Sequence, residues 1–308
     1  MAESSNISIY AAMLANLAIA VAKFTGAAVS GSSAMLSEGI HSVVDSFNEV
    51  LLLYGLRQSQ QEPDDLHPLG HGQELYFWSL VVAILIFSLG GGFSVYEGLK
   101  SFQHPEPSSN PLISYSILGI SALFEAIALT VSIREFNHKN PDRKVSFWTA
   151  VRRSKDPSNF IVIFEDAAAL LGLMAAFIGV YLSQLTQNAV YDGAASIIIG
   201  TLLTVVAVVL AAETKGLLIG ESALPETQDN IKAIVISDQA VAEMGPLISL
   251  HLGPEDIMLA LNIEFQDDLS ANDIEAAIRR IESNIRQAHG EVKRIFIEAA
   301  SISCGADL

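Results

Sequence analysis

The chain has 308 residues, 51% of them hydrophobic and only 17% charged, and 34 acids against 17 bases give a net charge of −17. Soluble domains carry roughly 25% charged residues, so these apolar side chains must face something other than water. The same balance excludes a nucleic-acid binder, which needs a basic footprint, and intrinsic disorder.

A helix rises about 1.5 Å per residue, so about twenty apolar residues cross a hydrocarbon core about 30 Å thick. Six stretches meet this length, approximately Ile9–Val29, Ala34–Leu56, Tyr76–Leu99, Leu112–Ile133, Phe160–Leu182 and Ala189–Ala212. The first lacks the basic residues of a secretory leader, since Met1–Tyr10 holds no Lys or Arg. It also lacks the arginine-rich character of an organelle transit peptide. Lys23 within it either snorkels or pairs with an acid.

The second stretch reads Ser37-Glu38-Gly39-Ile40-His41-Ser42-Val43-Val44-Asp45-Ser46-Phe47-Asn48-Glu49. His41 and Asp45 are four apart and share one helix face. Glu38 and Glu49 lie on or near that face. A charge at membrane depth costs about 2.5–3.5 kcal/mol even on a lenient scale. With few bases nearby, a divalent cation is the natural partner. The alternative is a structural polar seam of neutral acids. One imidazole with several carboxylates suits Zn²⁺, and also Mn²⁺, Fe²⁺ or Co²⁺.

The loop that follows, Pro63–Gly72, places Asp64, His67 and His71 within eight residues. Pro68, Gly70 and Gly72 prevent a regular helix and let the loop close round a cation. The plainer reading is a solvated turn. In the third span, Gly90-Gly91-Gly92 predicts a close helix contact or a bend. It is no phosphate loop, because the Gly-Lys-Ser/Thr ending is absent.

Glu125 in the fourth span reads either as a proton relay or as a packing carboxyl. Basic residues gather after that span (Arg134, Lys139, Arg143, Lys144, Arg152, Arg153, Lys155), at Arg57 after the second and at Lys215 after the sixth. The opposite turns hold only Lys100. Basic loops stay cytoplasmic, so both termini are expected there. The fifth span adds Glu165-Asp166. Asp192, at the mouth of the sixth, is expected to cap a helix.

From about Gly220 the texture changes. Pro225–Gln239 is helix-like, and Pro246–His251 and Ile257–Phe265 alternate like strands. Ser270 and Asp273 form a capping-box pattern before the helical Ile274, Ile278, Ile281 and Ile285 stripe. Val292–Glu298 is a last strand. The order α-β-β-α-β predicts a small ferredoxin-like α/β domain. The expected organisation is an all-α six-helix transmembrane domain over 1–219 and a cytoplasmic domain over 220–308. From Ser222 onward fifteen acids face six bases, which is over half of the net charge. The one cysteine, Cys304, excludes a disulfide framework and a thiolate-only metal cage.

Together these residues resemble the cation diffusion facilitator family. The resemblance rests on Ser37-Glu-Gly-Ile-His-Ser-Val-Val-Asp45 and His67-Pro-Leu-Gly-His-Gly72. Tyr76-Phe-Trp78, His104-Pro-Glu-Pro107, Lys155-Asp-Pro157 and Phe164-Glu-Asp166 look more narrowly like its zinc-transporter-nine-like branch. The family implies a transport site that joins His41 and Asp45 to residues of the fifth span. Many zinc-transporting members carry His-x-x-x-Asp there. Asp166 matches the aspartate, but Val162 stands in the histidine's place. Glu165 is the nearest replacement and Glu38 the next. Such a site is harder than one with two histidines, which leaves Mn²⁺, Fe²⁺ or Co²⁺ open beside Zn²⁺. By resemblance, Asp64, His67 and His71 match a second metal site of bacterial members. The last strand, Ile295-Phe-Ile-Glu298, lacks the histidine or aspartate that metal sensing by the tail would need, so the tail is expected to hold a homodimer.

The function expected is secondary active transport. Divalent cations, Zn²⁺ first, leave the cytoplasm by proton antiport with alternating access. Protons compete with metal for His and carboxylate ligands, and His41 is the best carrier. The alternatives are a Mn²⁺/Fe²⁺/Co²⁺ exporter or a membrane metal sensor or scaffold that moves no ions. An enzyme is not expected, because no His-Glu-x-x-His pattern occurs. No prosthetic group is expected, since metal is the cargo. The partners expected are the cation, protons, the bilayer and a second copy, without nucleic acid or ATP. A bacterial inner membrane is the expected location.

Overall fold

A computed structural model describes residues 2–104, 111–139, 146–299 and 301. Cys304, Arg143, Lys144 and the Pro105–Pro107 part of the proline-rich turn lie outside the described residues. Helix α1 (Ala2–Ser30) turns at Gly31, whose φ of 70° suits only glycine without strain, into α2 (Ser33–Ser59). Helix α3 (Glu74–Leu85) passes through a π-helical segment, Ile86–Gly92, into α4 (Phe93–Gln103). Then come α5 (Pro111–Lys139), a short α6 (Phe147–Arg153), α7 (Pro157–Thr186) and α8 (Val190–Ile219). The sequence pattern did not signal α6, which lies in the basic linker.

Among the described residues, four helices are long and apolar enough to cross a membrane: Glu74–Gln103, Pro111–His138, Pro157–Thr186 and Val190–Ile219. Helix α2 is as long but falls short on hydropathy, because it carries Glu38, His41, Asp45, Glu49 and a run of serines. Of these, Asp45 and Glu49 line the cavity described below.

The chain forms two compact units. The first comprises Met1–Arg57, Phe77–Val151 and Pro157–Thr214. Its core includes Met35, Val82, Ile86, Phe160, Leu173, Ile199 and Leu203, all buried, while Leu123, Ile127, Ile198 and Val205 point outward. Apolar residues on both faces of a helix are expected where the outer solvent is lipid. The glycine run does bring helices close. A methyl group on Gly98 would sit 2.8 Å from the carbonyl oxygen of Gly193, and one on Gly200 2.7 Å from that of Gly91. Small residues seven apart on each partner thus let α4 and the π segment lie directly on α8.

The second unit comprises Gln58–Tyr76, Arg152–Asp156 and Lys215–Leu308. It contains α9 (Pro225–Ile236), β1 (Val241–Gly253), β2 (Asp256–Phe265), α10 (Ala271–Ala288) and β3 (Val292–Ala299). The sheet order is β1-β2-β3, antiparallel then parallel, with Ile248 opposite Ala260 and Ala260 opposite Phe296. Pro246 lies at a register shift between Met244 and Leu247, the kind of place where a strand tolerates proline. Ile257, Leu259, Leu261 and Ile263 of β2 are buried with Ala277, Ile281 and Ile285 of α10. The predicted capping box is present: Asp273 N–H donates to Ser270 Oγ, and Ser270 N–H donates to the Asp273 carboxylate at 3.1 Å.

Candidate metal centre

The helical period puts Asp45 and Glu49 one turn apart on one face of α2. That face meets α1, α5 and α7 round a cavity of about 310 Å³. Asp45, Glu49, Glu125, Glu165 and Asp166 all line it, together with Asn16, Ser42 and Ser132, and no Lys or Arg does among the described residues. Three of the acids are held in place. Ser132 Oγ donates to Asp166 Oδ2 at 2.7 Å, Asn48 Nδ2 to Glu165 Oε1 at 2.6 Å, and Asn16 Nδ2 to Glu49 Oε1 at 2.8 Å.

His41 is buried beside this cavity, its Nδ1 3.3 Å from Asp45 Oδ1. Neither ring nitrogen of His41 nor Asp45 Oδ1 has a hydrogen-bond partner among the described residues. Buried polar atoms are nearly always satisfied. One imidazole nitrogen of His41 and Asp45 Oδ1, both of metal-ligand type, thus stand beside each other without another protein partner among the described residues.

Glu38 is placed differently. It is fully buried, and Lys23 Nζ donates to its Oε2 at 3.0 Å and to Ser42 Oγ at 2.8 Å. Of the two fates open to Lys23, the structure takes pairing. Its partner is the acid that does not line the cavity. The structure therefore sets Asp45, Glu165 and Asp166 on the lining of one cavity, with their ligand atoms spread wider than 4.8 Å, places His41 next to Asp45, and ties Glu38 to a lysine. Glu49, which the sequence placed on or near the His41 face, and Glu125 also line the cavity, while Asn16 does so without any signal in the sequence.

Asp192 caps a helix, though not its own. Its carboxylate accepts from Ser33 N–H at 2.6 Å, Ser32 Oγ at 2.6 Å and Ser33 Oγ at 3.0 Å. It thus sits from α8 on the N-terminus of α2, where a negative charge is favoured.

In the second unit, Asp64, His67 and His71 form the one group of three or more such side chains, among the described residues, whose ligand atoms lie within 4.8 Å of one another. Asp64 Oδ1 lies 3.2 Å from His67 Nδ1 and Oδ2 lies 3.3 Å from His71 Nε2. The His67 backbone N–H, donating at 2.6 Å, holds the Asp64 carboxyl below its ordinary range. The carboxylate stays ionised and ready for a cation. The three side chains are assembled by local turns, as the short spacing suggested.

A model described as the cation efflux transmembrane domain matches residues 9–219. The proton-coupled zinc antiporter SLC30A9, mitochondrial, of Xenopus laevis is 35% identical over 235 residues, covering 76% of this chain and 42% of that protein. Metal tolerance protein C4 of Arabidopsis thaliana is 29% identical over 267 residues, 87% of this chain and 58% of that protein. The manganese efflux system protein MneP of Bacillus subtilis is 23% identical over 295 residues, 93% of this chain and 92% of that protein. The chain spans less than half the length of the Xenopus relative.

Proposed function

The chain belongs to the cation efflux family and is an integral membrane protein, and we propose that it is a secondary transporter that exports divalent cations, Zn²⁺ first, in exchange for protons. The observation that carries the reading is the cavity lined by five carboxylates and, among the described residues, no basic side chain. Like charges so close cannot all be ionised without a counter-charge. Either protons or a divalent cation must balance them, and exchange of one for the other is antiport. Asp45, Glu165 and Asp166 are the proposed ligands, with His41 completing the set, and the metal is cargo rather than a resident cofactor. The names of the SLC30A9 relatives, which couple protons to zinc, support the same reading.

Alternating access, with the helices rocking about this cavity, is the proposed mode. Arg57, Arg134 and Lys215 support an orientation with both termini cytoplasmic. Asp64, His67 and His71 are proposed as a second cation site outside the transport path. The proposed assembly is a homodimer, which mass measurement in detergent checks.

Metal uptake into proteoliposomes under an imposed pH gradient tests the function. Zn²⁺ uptake should rise when the lumen is made acidic and collapse when an ionophore dissipates the gradient. Uptake indifferent to the gradient defeats antiport. Asp45→Asn and Asp166→Asn should each abolish uptake while the protein stays folded.

A second reading, a Mn²⁺ or Fe²⁺ exporter, draws on the carboxylate-rich lining of the cavity, which includes no histidine among the described residues, since hard ligands suit those ions. Competition among Zn²⁺, Mn²⁺, Fe²⁺ and Co²⁺ in one flux assay separates the two.

A further inference from the structure

A second cavity, of about 490 Å³, adjoins the first toward the end of the bundle that carries Arg57 and Arg134. The two cavities share three lining residues: Glu49 of α2, Ser132 of α5 and Val162 of α7. Each helix contributes in sequence order. Asp45, Glu49 and Leu52 follow one another along α2, and Asp166, Val162 and Asn159 run the same way along α7. The shared residues therefore border both cavities, and their level is called the neck here, with the second cavity as the vestibule.

Of the three, only Glu49 carries a charge. Ser132 spends its hydroxyl on Asp166, and Val162 is apolar. The Glu49 carboxylate is half-buried and is pinned on one oxygen by Asn16 of α1 at 2.8 Å. The vestibule beyond is walled mainly by Leu52, Leu53, Leu56 and Phe136, with Glu135, Ser158 and Asn159 also lining it, and a hydrated divalent cation that passes from it to the inner cavity loses water at the neck. A fixed carboxylate there replaces the lost hydration and lowers the barrier to the inner ligands. We propose that Glu49 is the handover residue of the transport path: it takes the divalent cation from the vestibule and passes it to Asp45 and Asp166 without being a ligand of the loaded inner site. This rests on the transport reading above, and it assigns Glu49 a kinetic role distinct from those ligands.

The test uses the full chain, with Zn²⁺ binding measured at equilibrium in detergent and initial uptake measured in proteoliposomes. Glu49→Gln keeps the shape and removes the charge. Binding to the inner site should stay within about threefold of wild type, while KM for uptake rises about tenfold or more and the saturating rate changes little. Glu49→Asp, which keeps a charge, should restore most of the KM and guards against a fold defect in the glutamine variant. Unchanged kinetics in Glu49→Gln overturn the proposal. Loss of equilibrium binding equal to that of Asp45→Asn overturns it too, by making Glu49 an inner ligand. Failure of the transport reading shows differently: wild-type protein gives no flux, or Asp45→Asn transports normally.

Discussion

Lys23 is fully buried on α1, and its ammonium bonds Glu38 and Ser42 on α2. A buried ion pair is poor at raising net stability, yet removing one partner leaves a charge stranded at a cost of about 3–5 kcal/mol. Lys23→Met should therefore lower the thermal stability of the detergent-solubilised chain sharply. The double variant Lys23→Met/Glu38→Met should recover most of the loss, since it removes both charges at similar volume. A double variant as unstable as the single one would show that the pair is not what holds α1 to α2. The sequence could state that a lysine and an acid stood in neighbouring spans. It could not state that Glu38 rather than Asp45 receives the ammonium. That choice depends on the rotation of α2 against α1, which inter-helix packing sets. Asp192 carries the same lesson, since its partners are 158 to 160 residues away in the chain. Its replacement by Asn should destabilise by about 1–2 kcal/mol through loss of the charged cap on α2, read as a fall in the unfolding temperature.

Among the elements, those built from local rules were legible. The Ser270–Asp273 box, the alternation of β2 and the isoleucine stripe of α10 all stand where the pattern put them. The glycine run of the third span signalled close contact, but the π-helical turn that it sits in has no short-range signature. Nor did spacing reveal that Arg280 of α10 reaches back to Asp238, just after α9. Arg280 Nε and Nη2 donate to the two carboxylate oxygens at 2.7 and 2.6 Å, and this holds the Asp238 carboxyl below its ordinary range. A depressed folded-state pKa stabilises the fold above the unfolded value of about 3.9, and that contribution is lost as pH falls through the folded value. Arg280→Ala should thus move acid unfolding of the second unit to higher pH, and the shift should be modest because the arginine is half exposed. Hydrogen exchange of α9 and α10 in the full chain, followed from neutral pH down to about pH 3, reads this directly. Equal acid sensitivity in wild type and variant would count against the clasp.

For the molecule as a whole, the acidic balance that composition revealed divides by chemistry. Fifteen acids from Ser222 onward belong to the second unit with its strands and helices, while Asp45, Glu49, Glu125, Glu165 and Asp166 face one another inside the helical unit. That inner lining offers oxygen atoms, with His41 beside it, so its preference among divalent ions should be broad. Imidazole favours Zn²⁺ over Mn²⁺, whereas carboxylates discriminate less. Val162 lines both cavities on α7, one helical turn from Asp166, and a side chain there can reach the same cation. Val162→His should therefore sharpen selectivity: the ratio of Zn²⁺ to Mn²⁺ uptake in a mixed-metal flux assay should rise about tenfold, mainly through weaker Mn²⁺ competition. A Glu165→Gln change in the same background should then be tolerated for Zn²⁺, because the imidazole would supply the ligand proposed for Glu165. If the ratio stays flat while both variants fold, the inner ligands do not lie at the level of Val162 and Asp166, and the transport site must be sought closer to His41 and the start of α2.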